Sequence, residues 1–219
     1  MRRASVVILA ALMQAHVSSL YAQSEKWERP EVKVGDSWTY EQKDLWTKTV
    51  EPPYTLTVET VGDLTIKVQR IVRDGRHFDW VYTRDWNLSA FPGPRNVDPY
   101  WPSYSWPLHV GKKWSGNASW PGPASRGGTW KASFDAKVAG VEKITVAAGT
   151  FDAVRIESKA RYSTNAHMGS WNGWGGEIIE TIWYAPAVRR AVKFAYTDTV
   201  GARILRKEET ELIKYKLSE

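Results

Sequence analysis

The chain has 219 residues, of which 30 are lysine or arginine, 24 are aspartate or glutamate and none is cysteine. Without cysteine we expect no disulfide, no thiolate metal ligand and no lipid anchor carried on cysteine. The formal net charge of +6 is mild and the charges alternate in sign along the chain, whereas a nucleic-acid-binding protein concentrates basic residues on one face.

Residues 1–22 have the pattern of a cleaved secretory signal. Arg2 and Arg3 precede an apolar run over residues 4–13, and small or neutral residues lead to Ala22. The run is shorter than the ~20 apolar residues that span a bilayer, and no later segment is apolar enough to do so. We therefore predict a periplasmic or secreted protein without a membrane span. Its single mature domain, residues 23–219, is large enough to bury a core.

The first half of this domain alternates apolar and polar side chains with the period of two that is typical of strands. Asp74-Gly75 is a strong hairpin signal. The rows expected to share one face are Trp38, Tyr40 and Gln42, then Tyr54, Leu56 and Val58, then Leu64, Ile66 and Val68, and finally Phe78, Trp80 and Tyr82.

The second half has the same alternation. One row runs over every second residue from Trp130 to Val138, and another from Val154 to Tyr162, with further strands expected at 177–184, 191–198 and 202–216. Nine or so strands of this kind predict an all-β fold, in which a single curved antiparallel sheet closes toward a barrel or half-barrel or splits into a sandwich.

Residues 91–128 differ from the rest because they hold seven of the eleven prolines. Proline cannot donate in a strand ladder, so we expect a mostly irregular, tryptophan-rich packed loop. A weak internal repeat also links the halves: Val34-Gly35 and Val110-Gly111 each lie three residues before a tryptophan, Trp38 and Trp114. Both pairs predict a glycine turn that leads into a strand.

Three segments, PLHVGKKW (107–114), VEKITVAAGTFDAVRIE (141–157) and TIWYAPAVRRAVKF (181–194), resemble the TapB-like group of uncharacterised exported bacterial proteins. Ala147 stands where that group usually has proline, and Arg189 and Arg190 stand where it has small residues. The resemblance implies an antiparallel β fold and export, and it supplies no catalytic residues.

No catalytic, metal or cofactor site follows from the motifs. The histidines after residue 22 lie far apart in sequence, and the chain has neither a nucleophile elbow nor a phosphate-binding glycine loop. Glu177 and Glu180 are the acids that a glycoside hydrolase would use, but a separation of three places them on opposite faces of a strand. An enzyme is therefore the less favoured hypothesis.

Aromatic side chains in two segments are the predicted ligand-binding residues. Residues 98–107 carry four of them, and the glycine-rich segment around SWNGWGG carries two more; the six are Tyr100, Trp101, Tyr104, Trp106, Trp171 and Trp174. Such rings stack on sugars, cover apolar ligands or contact proteins. The leading hypothesis is a non-catalytic protein that binds a lipid or glycan of the cell envelope. The alternatives are a structural or assembly partner of another envelope protein and, less favoured, a carbohydrate-active hydrolase.

Overall fold

The computed structural model describes residues 25–93, 95–122, 127–168 and 171–219, without the side chains of residues 167, 168, 171 and 172. The predicted signal peptide, residues 1–22, lies outside the described residues. Within them the chain forms β1 (Ser37–Asp44), β2 (Val50–Val61), β3 (Thr65–Ile71), β4 (His77–Thr83), β5 (Leu88–Phe91), β6 (Arg95–Trp101), β7 (Lys113–Pro121), β8 (Thr129–Val146), β9 (Gly149–Met168), β10 (Trp171–Ala185), β11 (Arg190–Val200) and β12 (Arg203–Lys216).

These strands form one closed antiparallel barrel. Each strand pairs with its neighbours in sequence, and β1 pairs with both β2 and β12, so that Trp38 lies between Leu56 and Tyr215. A single 3-10 turn, Pro186–Val188, is the one helical element of the described residues. The predicted all-β antiparallel fold is confirmed, and of the three predicted forms of closure it is the barrel.

The alternation in the sequence matches the two faces of the barrel wall along β8 and β9, whereas Leu64, predicted to share a face with Ile66 and Val68, lies in the turn before β3 and is 81% exposed. In β9 the predicted row from Val154 to Tyr162 is buried at every second residue, and in β8 Ala132, Phe134, Ala136 and Val138 are buried between exposed polar residues. The inward rows form two apolar clusters, a larger one that includes Trp38 and Tyr184 and a smaller one around Phe134 and Trp174.

The proline-rich segment 91–128 is more regular than its composition predicts, because it contains β6 and β7. Proline is tolerated there because the ladder between these strands is short: Asp98 opposite Ser119 is the one pair between them. Pro99 lies beside that pair, and Pro121 is the last residue of β7. Few backbone donors are therefore lost to the prolines.

The internal repeat in the sequence has a counterpart in hydrogen bonding. Gly35 and Val58 are joined by the bonds Gly35 N to Val58 O (2.9 Å) and Val58 N to Asp36 O (2.9 Å). Gly111 and Val138 are joined in the same way, by Gly111 N to Val138 O (2.9 Å) and Val138 N to Lys112 O (2.8 Å). Both glycines have positive φ, 90° and 85°, which glycine adopts at little cost. β1–β2 and β7–β8 are therefore equivalent parts of two six-stranded halves.

The two ends of the barrel differ. At the end where β1 begins, which we name the closed end, residues 25–36, 102–112 and 186–189 pack over the core, and Trp27 pairs with Leu108. At the opposite end, which we name the rim, the inward side chains are polar and partly exposed, including Gln42, Arg70 and Asp198. The interior is therefore filled at one end and accessible at the other.

Candidate functional site

A cavity of about 570 Å³ occupies the barrel interior between the two apolar clusters. Its wall takes residues from both clusters, for example Tyr40 and Ile182 from the larger and Tyr162 and Ile178 from the smaller. Aromatic residues make up 14 of the 29 residues that line it. They are Tyr40, Tyr54, Trp80, Tyr82, Trp86, Phe91, Trp101, Tyr104, Trp120, Trp130, Tyr162, Tyr184, Phe194 and Tyr196.

Alternation along the strands builds most of the wall, and Trp86, Ser103, Tyr104 and Arg189 join it from the turns and loops between strands. Along β10 the inward positions from the closed end to the rim are Tyr184, Ile182, Glu180 and Ile178, all of which line the cavity. Along β11 the matching series includes Phe194, Tyr196 and Asp198, and Tyr196 lies directly opposite Glu180 in the ladder. The β11 series thus changes from apolar to acidic toward the rim, whereas in β10 the acidic Glu180 lies between Ile182 and Ile178.

Of the six residues predicted to bind a ligand, two line the cavity. Trp101 is the last residue of β6, with its ring 5.4 Å from that of Phe134, and Tyr104 is buried in the irregular segment that follows. The Trp106 ring stacks on the Tyr104 ring with 5.3 Å between their centroids, and the Trp106 indole N–H donates to the Asp85 carbonyl at 3.0 Å. Trp106 therefore helps to hold the Tyr104 ring in place.

The other predicted residues lie elsewhere. Tyr100 is 37% exposed and is not part of the cavity wall, whereas Trp174 is 9% exposed and packs edge-on against Trp130 at 4.8 Å. Trp171 belongs to β10, and its side chain lies outside the described residues. The predicted flexible aromatic loop at 171–174 is part of a strand instead.

Glycines next to Trp174 explain this difference. A Cβ atom on Gly176 would collide with the Thr199 carbonyl and the Tyr162 ring, and one on Gly175 would lie 2.7 Å from the Tyr162 carbonyl. Glycine at these positions therefore lets β10 pack closely against its neighbouring strands and the Tyr162 ring, and it does not indicate a flexible loop.

An arginine that the sequence analysis did not select forms the closed end of the cavity. Arg190, the first residue of β11, is 8% exposed, and its guanidinium carbon lies 4.2 Å from the ring centroid of Trp86 and 5.3 Å from that of Trp38. The preceding residue, Arg189, points away to the buried carboxylate of Asp36, at 3.1 Å. A signal was present in the sequence, since these arginines replace the small residues of the group that the chain resembles.

Two tyrosines near Arg190 keep their hydroxyl protons. Burial raises the pKa of Tyr40 and of Tyr104 above the ordinary tyrosine value. The Tyr40 hydroxyl donates to the Ala191 carbonyl at 2.7 Å, which fixes the start of β11. The closed end of the cavity therefore places neutral aromatic side chains around Arg190, beside Arg189, which is paired with Asp36.

Acidic side chains lie further toward the rim. Burial raises the pKa of Glu180 to about 7, opposed by hydrogen bonding from the Trp101 indole, and Glu180 Oε2 has no hydrogen-bond partner among the described residues. Burial also raises the pKa of Asp198, which accepts a hydrogen bond from the Tyr162 hydroxyl at 2.8 Å. At neutral pH this wall therefore carries less negative charge than its composition indicates.

Glu177 and Glu180, the two acids considered for a hydrolase, do not lie in one site. Glu177 lies outside the cavity, with Oε2 2.7 Å from Lys159 Nζ, whereas Glu180 lies inside it. The predicted placement on opposite faces is confirmed, so these two carboxylates cannot act on one bond.

The part of the chain that the structure describes contains neither a metal centre nor a membrane helix. No group of three or more histidine, aspartate or glutamate side chains in the described ranges could hold a metal ion. Within those ranges there is also no helix of the length and apolarity needed to cross a bilayer.

No family model and no curated protein sequence matches the chain. Among solved structures, the chain is similar to a candidate lipoprotein from Parabacteroides distasonis, with 14% identity, a TM-score of 0.51, and coverage of 88% of this chain and 100% of that one. A candidate exported protein of YmcC-like fold from Bacteroides fragilis gives 14% identity, a TM-score of 0.49, and coverage of 88% and 100%. The hypothetical lipoprotein YmcC from Escherichia coli gives 11% identity, a TM-score of 0.44, and coverage of 82% and 84%.

At 14% identity the first likeness shows a shared fold and nothing more specific. The resemblance to the TapB-like group stays a prediction, because no family model matches the chain.

Proposed function

We propose that the chain is an exported, non-catalytic protein whose barrel interior binds an apolar or glycan-like component of the cell envelope. The carrying observation is the aromatic cavity of about 570 Å³ inside a closed barrel, which falls within the ~300–1,000 Å³ range of small-molecule sites. Export is supported by the signal pattern of residues 1–22 and agrees with the descriptions of the similar structures as lipoproteins or exported proteins.

The proposed site lies within the barrel rather than on exposed loops. Trp101 and Tyr104 keep the ligand-contacting role predicted for them, and Trp80, Tyr82 and Trp120 join them. Indole and phenol rings present flat apolar faces that suit sugar rings and alkyl chains alike, and their hydroxyl and N–H groups add polar contacts. Tyr100 and Trp174 are assigned no contact with ligand.

Closure of the sheet favours this function over strand-edge assembly. Because β1 pairs with β12, each described strand has a neighbour on both sides, and the weakly paired seam between β6 and β7, which share one ladder pair, is the place left for another protein's strand. Covalent crosslinking followed by pull-down separates the two hypotheses, since recovery of a stoichiometric protein partner would favour assembly.

Native mass spectrometry of protein isolated from its own periplasm tests the proposal. We expect a non-covalent adduct that is reduced in the cavity variants Trp80→Ala and Trp101→Ala. Trp46→Ala is the matched control, because Trp46 is 68% exposed and is not in the cavity wall. A clean unliganded mass, with no change in tryptophan fluorescence across lipid and glycan panels, would refute the proposal.

A further inference from the structure

Arg190 is a cation buried at the innermost part of the cavity. It is 8% exposed, lines the cavity, and its guanidinium carbon lies 4.2 Å from the Trp86 ring centroid and 5.4 Å from that of Tyr82. Aromatic faces attract a guanidinium, but they accept none of its N–H groups in a strong hydrogen bond. The Tyr40 and Tyr82 hydroxyls lie beside the guanidinium, but the N–H groups on Nε and Nη1 of Arg190 remain without an acceptor in the described residues.

The protein supplies no acidic partner for this cation. Nε and Nη1 of Arg190 have no hydrogen-bond partner within the described residues, and no described carboxylate lies within ion-pair distance of it. The nearest acid in the closed end, Asp36, is taken by Arg189 and by the Ser218 backbone N–H. A buried charge without a partner is strongly unfavourable, so a group that arrives with a ligand is the natural counter-ion.

We propose that Arg190 binds an acidic group, a carboxylate or a phosphate monoester, of a ligand whose apolar body extends along the cavity toward the rim. This inference rests on the proposed function and names the ligand class. The planar guanidinium matches both oxyanions through paired N–H donors. Tyr104, Ile182 and Phe194 provide the aromatic and aliphatic contacts for the body.

The charged residues of the cavity wall indicate why the acidic group of the ligand lies deep. Asp198 is about 26 Å from Arg190 along β11, at ~3.3 Å per residue, and it lies opposite Arg206 on β12, whereas Glu208 lies opposite Tyr196. Arg206 pairs with Glu208 at 2.6 Å, so this arginine near the rim already has a carboxylate partner. Nε and Nη1 of Arg190 have no partner among the described residues, and an acidic group bound there lies far from Asp198.

Three probes with the same alkyl chain test the proposal on the full mature protein: dodecanoate, dodecyl phosphate and dodecanol, each below its micelle concentration. Binding is followed by tryptophan fluorescence and confirmed by calorimetry. We expect both acids to bind about 10- to 100-fold more tightly than dodecanol, as charge-assisted hydrogen bonds predict. Arg190→Gln should reduce both acids to the affinity of dodecanol, and Arg190→Lys should retain part of the preference.

Arg161→Gln is the matched control, because this substitution removes the same charge from an outward-facing side chain that is 74% exposed. It should leave all three affinities unchanged. If Arg190→Gln does not fold, the affinities of the wild-type protein for dodecanoate and dodecyl phosphate, each compared with that for dodecanol, test the role of Arg190.

Equal binding of dodecanol and dodecanoate by the wild-type protein would overturn the role of Arg190 and leave the proposed function standing. Binding of glucuronate without binding of any dodecyl probe would contradict the proposal that the ligand has an apolar body. Failure of every probe, together with a clean native mass, would overturn both proposals.

Discussion

Arg189 and Asp36 form an ion pair at the closed end of the barrel, with Arg189 Nη1 3.1 Å from Asp36 Oδ2. Asp36 is fully buried and also accepts hydrogen bonds from the backbone N–H groups of Lys33 at 3.0 Å and Ser218 at 2.7 Å. One carboxylate therefore joins the segment before β1, the turn before β11 and the residues after β12.

Asp36→Ala should lower the free energy of unfolding by about 3–5 kcal/mol, because it leaves Arg189 and two backbone donors without their acceptor. Asp74→Ala is the control: Asp74 pairs with Arg76 at an exposed turn, where such pairs contribute about 0–1 kcal/mol. Urea unfolding of the variants measures both. Equal losses would show that Asp36 does not organise the closed end.

Trp38→Phe and Trp174→Phe remove the same number of atoms from buried sites but should lower the free energy of unfolding by different amounts. The Trp38 indole donates to the Val188 carbonyl at 2.7 Å, whereas Trp174 Nε1 has no partner among the described residues. We expect Trp38→Phe to be more destabilising by about 1–2 kcal/mol, since it leaves a buried carbonyl unpaired. Thermal and urea unfolding provide the comparison, and equal losses would contradict it.

Stability should fall as pH rises because of Glu180. Below pH about 4.5 its carboxyl is protonated in both states. Between about pH 4.5 and 7 the folded state keeps the proton that the unfolded state loses, so the free energy of unfolding falls with rising pH. Above pH 7 the carboxyl is ionised in both states, and the loss of stability is constant at about 3 kcal/mol at most. Glu180→Gln should therefore be more stable than the wild type at pH 8 and similar to it at pH 4.

Urea unfolding of both proteins across this pH range measures the effect. Asp198, whose pKa burial also raises, contributes in the same direction to both proteins, so their difference isolates Glu180. A difference that does not change with pH would show that Glu180 is not desolvated.

Gly176→Ala should destabilise the barrel by about 1–3 kcal/mol, because the added methyl group meets the Thr199 carbonyl and the Tyr162 ring. Gly140→Ala is the control, since no atom lies within 4 Å of the Cβ it would add. Tolerance of both substitutions, measured by thermal unfolding, would contradict the role given to Gly176.

The strand rows could be predicted because each barrel strand has one apolar and one wet face. That condition holds along β8 and β9, where the row from Val154 to Tyr162 is buried as expected. It also holds for Trp38, Tyr40 and Gln42 in β1, although Gln42 lines the cavity instead of a filled core. Local alternation thus predicts which side chains face inward but not whether the interior is packed or hollow.

The site was less predictable because its parts come from strands far apart in sequence. Arg190 faces Trp38, Tyr82 and Trp86 only because the barrel closes, and no local motif links them. In the same way, the glycines beside Trp174 resemble a flexible loop until the position of Tyr162 is known. The departure of Arg189 and Arg190 from the resembled pattern was the one local signal.

The pairing of β1 with β12 has a consequence for how the chain reaches its native state. Ser37 cannot meet Lys216 until all the strands between them have been made, so closure of the barrel depends on contacts between distant parts of the sequence. A chain that stops before residue 203 would expose two unpaired strand borders and would be prone to self-association.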